Sequence, residues 1–200
     1  MTLLADIRAI VGDYQRDGLV RYRSHRAALG AAGNVKAALG ECRGDLVAVL
    51  NDDDLWEPTL LARLAAPLAE HADVAVAFCD HWVIDASGAI VQDGSRLYSQ
   101  RYGRAVLREG IIEDVASVAF VRGSVPAAIC ALFRREVIPP DDIPVEVKGA
   151  YDFWLSVLAA AAGRPFYYVG ERLARYRLHP SMESRRPSAT GSEGHRMVIA

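Results

Sequence analysis

No stretch of this chain approaches the eighteen or so consecutive apolar residues that a membrane-spanning helix requires, so no span is predicted. Cysteine is scarce. Cys42, Cys79 and Cys130 are odd in number and widely separated, which excludes a zinc-ligand pattern and a disulfide framework and predicts a reducing, cytoplasmic setting. Basic residues form no stripe, and 23 Lys and Arg against 25 Asp and Glu leave a formal net charge of −2, which argues against a nucleic-acid partner. Met1 to Gly12 lacks the charged-then-apolar layout of a secretory signal. Two phosphoryl-transfer signatures are also missing. No glycine-rich loop ends in Gly-Lys-Ser/Thr, and Leu55 and Trp56 after Asp54 break an Asp-x-Asp-x-Thr pattern. No internal repeat is present.

What remains is an ordinary globular composition, 52% hydrophobic and 24% charged over 200 residues, enough for one domain with a substantial core. The most informative feature is the aliphatic run Leu46 to Leu50 followed, after Asn51, by Asp52, Asp53 and Asp54. Such a run predicts a strand buried on both faces inside a parallel sheet. Carboxylates at its carboxyl end would sit where open α/β sheets bind ligands. Adjacent carboxylates repel one another and hold their protons more tightly. A hard divalent cation, Mg2+ or Mn2+, relieves that conflict, and magnesium commonly arrives with phosphates. The residues thus point to a metal–diphosphate site. A solvated acidic loop, with Asp54 capping the next helix, is the structural alternative.

Along the chain, apolar spacing predicts helices over Leu3 to Gln15, Gly30 to about Cys42, Thr59 to Leu68 (with Pro67 kinking or shortening its end) and Tyr151 to Ala162, the last stopped by Gly163. Strands are expected at Leu19 to Arg23, Leu46 to Leu50, Ala127 to Phe133, Phe166 to Val169 and Leu173 to Tyr176. A hairpin, Val74 to Asp85 and Ala89 to Asp93, is expected around Asp85-Ala86-Ser87-Gly88. Gly94 to Gly123 is the least readable region, and Pro139 to Pro144 reads as loop. Trp82 and Trp154 are expected in the core, Trp56 in packing, and Arg134-Arg135 as a solvated pair. Asp80 either lines the site or plays a strand-end or turn role. From Glu183 the composition becomes polar and predicts a disordered tail, so residues 1–182 form the domain and 183–200 the tail. Strands alternating with helices, interrupted by a hairpin, predict an α/β fold with a mixed sheet.

Six segments, in order, resemble glycosyltransferase family 2, the inverting nucleotide-sugar enzymes of the GT-A fold. Gly30 to Asn34 with Gly44-Asp45 is similar to the family's glycine–asparagine helix and the acidic step before the central strand. Asn51-Asp52-Asp53-Asp54-Leu55-Trp56-Glu57-Pro58 resembles its DxD-type motif, with Asn51 at a position that is often Asp. Cys79-Asp80 with Ile84-Asp85 and Gly88 resembles the hairpin that follows, and Ala131 to Arg135 the strand before the acceptor region. Tyr151 to Leu155 looks like the helix carrying the catalytic base, and Tyr176-Arg177-Leu178-His179 like the late Tyr-Arg-x-His element.

The resemblance implies a GT-A-like, Rossmann-like mixed sheet flanked by helices. It is N-terminally short, because Met1 to Gly18 does not supply the strand–helix–strand unit with which family members begin. It also implies metal-assisted transfer of a sugar from a nucleotide-diphosphate donor to a saccharide or other hydroxyl acceptor, with inversion. Asp53, with Asp52 or Asp54, would hold the cation. Asp52, Arg177 and His179 would face the diphosphate, and Asp152 would be the general base. Each position has a structural reading beside it: Asp152 as a carboxylate favoured by the helix dipole, His179 as a solvated histidine. A catalytically inert GT-A-like domain that serves as a binding or partner subunit is the alternative function.

Overall fold

The computed structural model describes residues 11, 12 and 20–179. The predicted helix Leu3 to Gln15, apart from helical Val11 and Gly12, and the predicted tail lie outside the described residues.

The first helix, α1 (Gly30–Glu41), opens at Gly30, whose φ of +69° suits glycine. Gly33 is needed for a different reason: a Cβ there would lie 2.9 Å from the Leu29 side chain. Strand β1 (Leu46–Ala48) leads through the acidic turn into β2 (Leu55–Trp56). Helix α2 (Leu60–Glu70) buries Leu60, Leu64 and Leu68, one face at a four-residue spacing. Pro67 sits one turn from its end without stopping it, since only one helical hydrogen bond is lost there. Then follow β3 (Val76–Ile84), α3 (Gln92–Arg101), β4 (Gly110–Ile112), β5 (Ala131–Arg134), α4 (Tyr151–Ala161) and β6 (Phe166–Arg177).

These strands form a mixed sheet in the order β1-β5-β3-β6-β2, with β4 also paired to β6. β3 and β6 run parallel; every other pair is antiparallel. One apolar cluster joins α2 to Ala77, Cys79, Leu132 and Val169. A larger cluster joins α1 and α4 to Phe78, Phe133 and Phe166. Helices therefore flank a mixed sheet, as expected, and the sheet's centre is occupied by the fully buried Phe78 and Phe133.

Several local expectations are corrected. The aliphatic run forms a strand only over Leu46–Ala48, antiparallel to β5 and at the end of the described sheet, not inside a parallel one. Leu50 is 44% exposed. Residues 20–23 are irregular, with Arg21 and Arg23 bonded to Glu41. The hairpin's return strand reduces to one bridge, Ile84 to Ile90, because α3 begins at Gln92. The two late strands are one, β6, bulged opposite Cys79 and Asp80 where Gly170 and Glu171 interrupt the pattern. Within the expected Pro139–Pro144 loop, Pro140–Asp142 makes a short 3-10 turn.

Three expected side-chain roles also change. Trp154 and Trp82 are half-exposed rather than core; the Trp154 indole donates to Asp142 O at 2.8 Å. Arg134 and Arg135 are not a solvated pair. Arg134 donates to the carbonyls of Leu68, His71 and Val74, satisfying the end of α2 and the chain that follows, and Arg135 donates to Gly44 O at 2.8 Å.

Candidate active site

The acidic turn lies between two short strands, so its geometry is set by what holds it from outside. Trp56 packs beside α2 and donates its indole N–H to Ile129 O, confirming it as a packing residue. Glu57 N–H donates to Leu173 O at 2.9 Å, and Arg175 Nε donates to the Glu57 carboxylate at 2.7 Å, fixing the turn's far end to β6.

The end of β6 then reaches the aspartates themselves. The Arg177 backbone N–H donates to Asp54 Oδ1 at 2.9 Å, and Arg177 Nε donates to Asp53 O at 2.8 Å. Its Nη1 also donates to Asp85 O and Ala86 O, at 3.1 and 3.2 Å. Those carbonyls belong to a turn in which Asp85 Oδ1 accepts from the Ser87 and Ala89 N–H groups and Gly88 adopts a φ of +92°. Arg177 is thus a clamp joining the acidic turn to the Asp85 turn. Two residues later, His179 Nε2 lies 3.1 Å from Asp53 Oδ2.

The three aspartates occupy three environments. Asp52 is exposed, Asp53 half-buried and Asp54 buried. The inward Asp54 has its pKa raised to about 6, chiefly by burial, with the Asp53 charge adding and the Arg177 N–H opposing. Among the described residues its Oδ2 has no hydrogen-bond partner. Among the described residues no group of three or more His, Cys, Asp or Glu side chains is arranged to hold a metal ion. The turn nevertheless offers two adjacent carboxylates, one with an unsatisfied oxygen. That is a partial donor set of the kind Mg2+ or Mn2+ uses when phosphate oxygens and water complete the shell.

Helix α4 meets this turn through its first residue. Tyr151 donates its hydroxyl proton to Asn51 Oδ1 at 2.7 Å, and burial raises its pKa. Asp152 follows in the first turn of α4, exposed, its Oδ1 accepting the Phe153 N–H at 2.7 Å. The chain enters α4 through Lys148, a non-glycine residue at φ +49°, a conformation costing about 1–3 kcal/mol that buried Val147 and Ala150 hold in place. Asn51, the residue that departs from the usual acidic position, is therefore the docking point for the helix carrying Asp152.

Asp80 is elsewhere. It sits in mid-strand at the β6 bulge, 6% exposed, bound by Arg104, Arg172 and Ser99. Burial alone would raise its pKa, but the Arg104 charge and the hydrogen bonds from Ser99 and Arg104 hold it below the usual carboxylate value. Sequence reasoning missed this cluster, whose members come from four separate elements with no local motif.

The helix-flanked mixed sheet, with its acidic turn clamped to β6 and to the start of α4, is a GT-A-like arrangement. The sequence profile of Glycosyl transferase family 2 matches residues 5–138, and the chain belongs to that family. No curated protein sequence matches the chain. Among solved structures it is similar to S. aureus TarS residues 1–349 (15% identity, TM-score 0.61, covering 84% of this chain and 47% of that one). The same fragment in complex with UDP-GlcNAc gives 13% identity and a TM-score of 0.61, covering 88% and 47%. A longer TarS structure gives 16% and 0.60, covering 86% of this chain and 29% of its own. The chain therefore spans about half, or less, of the length of these structures. Among the described residues no helix is long and apolar enough to cross a membrane.

Proposed function

We propose that this domain transfers a sugar from a nucleotide-diphosphate donor to a hydroxyl group of a saccharide or other acceptor, with inversion at the anomeric carbon and metal assistance. The observation that carries the reading is the Tyr151–Asn51 hydrogen bond, which ties the start of the Asp152 helix to the acidic turn. Family membership supports transfer, and the similar TarS structure with UDP-GlcNAc makes a UDP-sugar the first donor to test.

In this mechanism Asp152 accepts the acceptor hydroxyl's proton as the oxygen attacks the anomeric carbon. The bond to the diphosphate breaks on the opposite face, and its electron pair leaves with the diphosphate. Asp53, with Asp52 or Asp54, would hold Mg2+ or Mn2+, which when bound neutralises charge on the leaving diphosphate. His179 orients the Asp53 carboxylate, and Arg177 keeps the turn in place while adding positive charge beside it. Three thiols with no disulfide among them are compatible with a cytoplasmic setting.

Two observations favour an inert binding domain as the second reading: Arg177 is already committed to three backbone carbonyls, and no three-ligand cluster is preformed among the described residues. Calorimetric titration of the full chain with UDP, with and without Mn2+, separates the two. Manganese-dependent binding that disappears in Asp53→Asn supports the donor site. Asp152→Asn should then retain UDP binding while losing transfer from a UDP-sugar. Equal affinity with and without manganese, or transfer surviving in Asp152→Asn, would refute the assigned roles.

A further inference from the structure

A cleft of about 650 Å³ opens on the sheet around Asp80, Trp82, Ser99, Arg104 and Arg172, with Arg96 at its rim. It is separate from the acidic turn: Arg172 precedes Arg177 by five positions on the extended β6, roughly 16 Å along the strand.

Two arginines, Arg104 and Arg172, share the single carboxylate of Asp80 at this cleft, leaving one positive charge in excess. At the rim Arg96 is paired with Asp93 and Glu171 with Arg63. Arg104 is 3% exposed; its Nε donates to Asp80 Oδ1 at 2.7 Å and its Nη1 to Ser124 O at 3.0 Å, but among the described residues its Nη2 has no partner. A buried donor left unpaired is costly, about 1–3 kcal/mol and more for a charged group, and native structures carry few of them. Arg172 is held flat. Its guanidinium lies 4.6 Å above the Trp82 ring, with Nε on Asp80 Oδ2 at 3.2 Å and Nη2 on Ser99 Oγ at 3.0 Å. Arg172 is thus fixed by stacking as a planar donor, and Arg104 adds a buried positive charge behind it, which together suit an oxyanion.

We propose that this cleft is a second ligand site, taking the carboxylate or phosphate group of a small polar molecule, independent of the donor site and of whether that site is active. Its volume suits one or two sugar rings. The chemistry is shared by acidic sugars and sugar phosphates, so both serve as probes.

The full chain, in chelator so that no cation bridges phosphate to the acidic turn, is titrated calorimetrically with glucose 6-phosphate, glucuronate and neutral glucose. One or both anionic sugars should bind at least tenfold more tightly than glucose, and which one binds identifies the group recognised. Arg172→Gln should weaken that binding at least tenfold. Gln100→Glu, an exposed change on the cleft wall that leaves folding unaffected, should weaken it several-fold. Absence of any preference for the anionic sugars over glucose would overturn the proposal, as would unchanged affinity in Gln100→Glu together with a folded Arg172→Gln. Titration of UDP with manganese is the separate readout, and its failure leaves this result unaffected.

Discussion

Replacing His81 with phenylalanine should remove a specific loss of stability on mild acidification. His81 lies on β3, 3% exposed, and neither ring nitrogen has a hydrogen-bond partner among the described residues. Tyr98 and Tyr176 meet it edge-on at 6.2 and 5.7 Å between ring centroids. Burial, then the Arg104 charge and more weakly that of Arg172, outweigh the opposing pull of Asp80 and drive its pKa from 6.5 to about 3. Between those values the unfolded chain binds a proton that the folded chain does not, so this contribution to stability is present above pH 6.5 and is lost as pH falls. At pH 5 the separation from 6.5, at 1.36 kcal/mol per pH unit, gives ~2 kcal/mol. Urea unfolding of the wild-type chain and of His81→Phe, each at pH 8 and pH 5, isolates the effect because other titrating groups cancel in the difference. The wild type should lose ~2 kcal/mol more than the variant on going to pH 5. Equal losses, within about 0.5 kcal/mol, would refute the argument that a buried, unpartnered imidazole is kept neutral here.

Asp54 works in the opposite sense. Its raised pKa means the folded chain holds a proton that the unfolded chain has released, so stability present below pH 3.8 is lost as pH rises through about 6. Asp54→Asn, compared with wild type by urea unfolding in chelator at pH 4 and pH 8, should flatten that loss by up to ~3 kcal/mol. Cys79 and Cys130 are fully buried, and burial first, then the bond with Cys79, raises the Cys130 pKa well above its ordinary value. A thiol reagent applied to the native chain should therefore label half-exposed Cys42 rapidly and the other two only on unfolding; rapid labelling of Cys79 or Cys130 would contradict the packing of β3 against the chain before β5.

The helices that carry a strong apolar stripe were legible in the sequence. Leu60, Leu64 and Leu68 announce α2, and Gly163, at φ +67°, ends the α4 region as glycine should. The aliphatic run at Leu46 misled, because composition does not reveal pairing: among the described strands β1 meets only β5, a partner more than eighty positions away. The bulge at Gly170 and Glu171 read as a break because it interrupts the strand pattern without ending the strand. At the site, Asp53, Asp54, Arg177 and His179 lie together, through contacts the sequence did not predict. The clamping role of Arg177 was invisible, since its acceptors are backbone carbonyls of Asp53, Asp85 and Ala86, which leave no side-chain signature. The Asp80 cluster was unreadable for a related reason: Asp80 and Arg172 are 92 positions apart.

The clamp on the acidic turn also sets a schedule. Asp54 and the backbone N–H that restrains it are separated by 123 positions. At a synthesis rate of roughly 5–20 residues per second, the aspartates of a growing chain wait about 6–25 s for that partner. Through that interval their mutual repulsion is opposed by solvent and counterions alone, while β3, β5 and α2 already have the residues they need to pack. The restrained form of the turn therefore waits for β6, as do the pairings of β2, β3 and β4 with that strand. A chain interrupted within β6 would keep the β1-β5-β3 part of the sheet but lose both the central partner of β3 and the N–H that restrains the acidic turn.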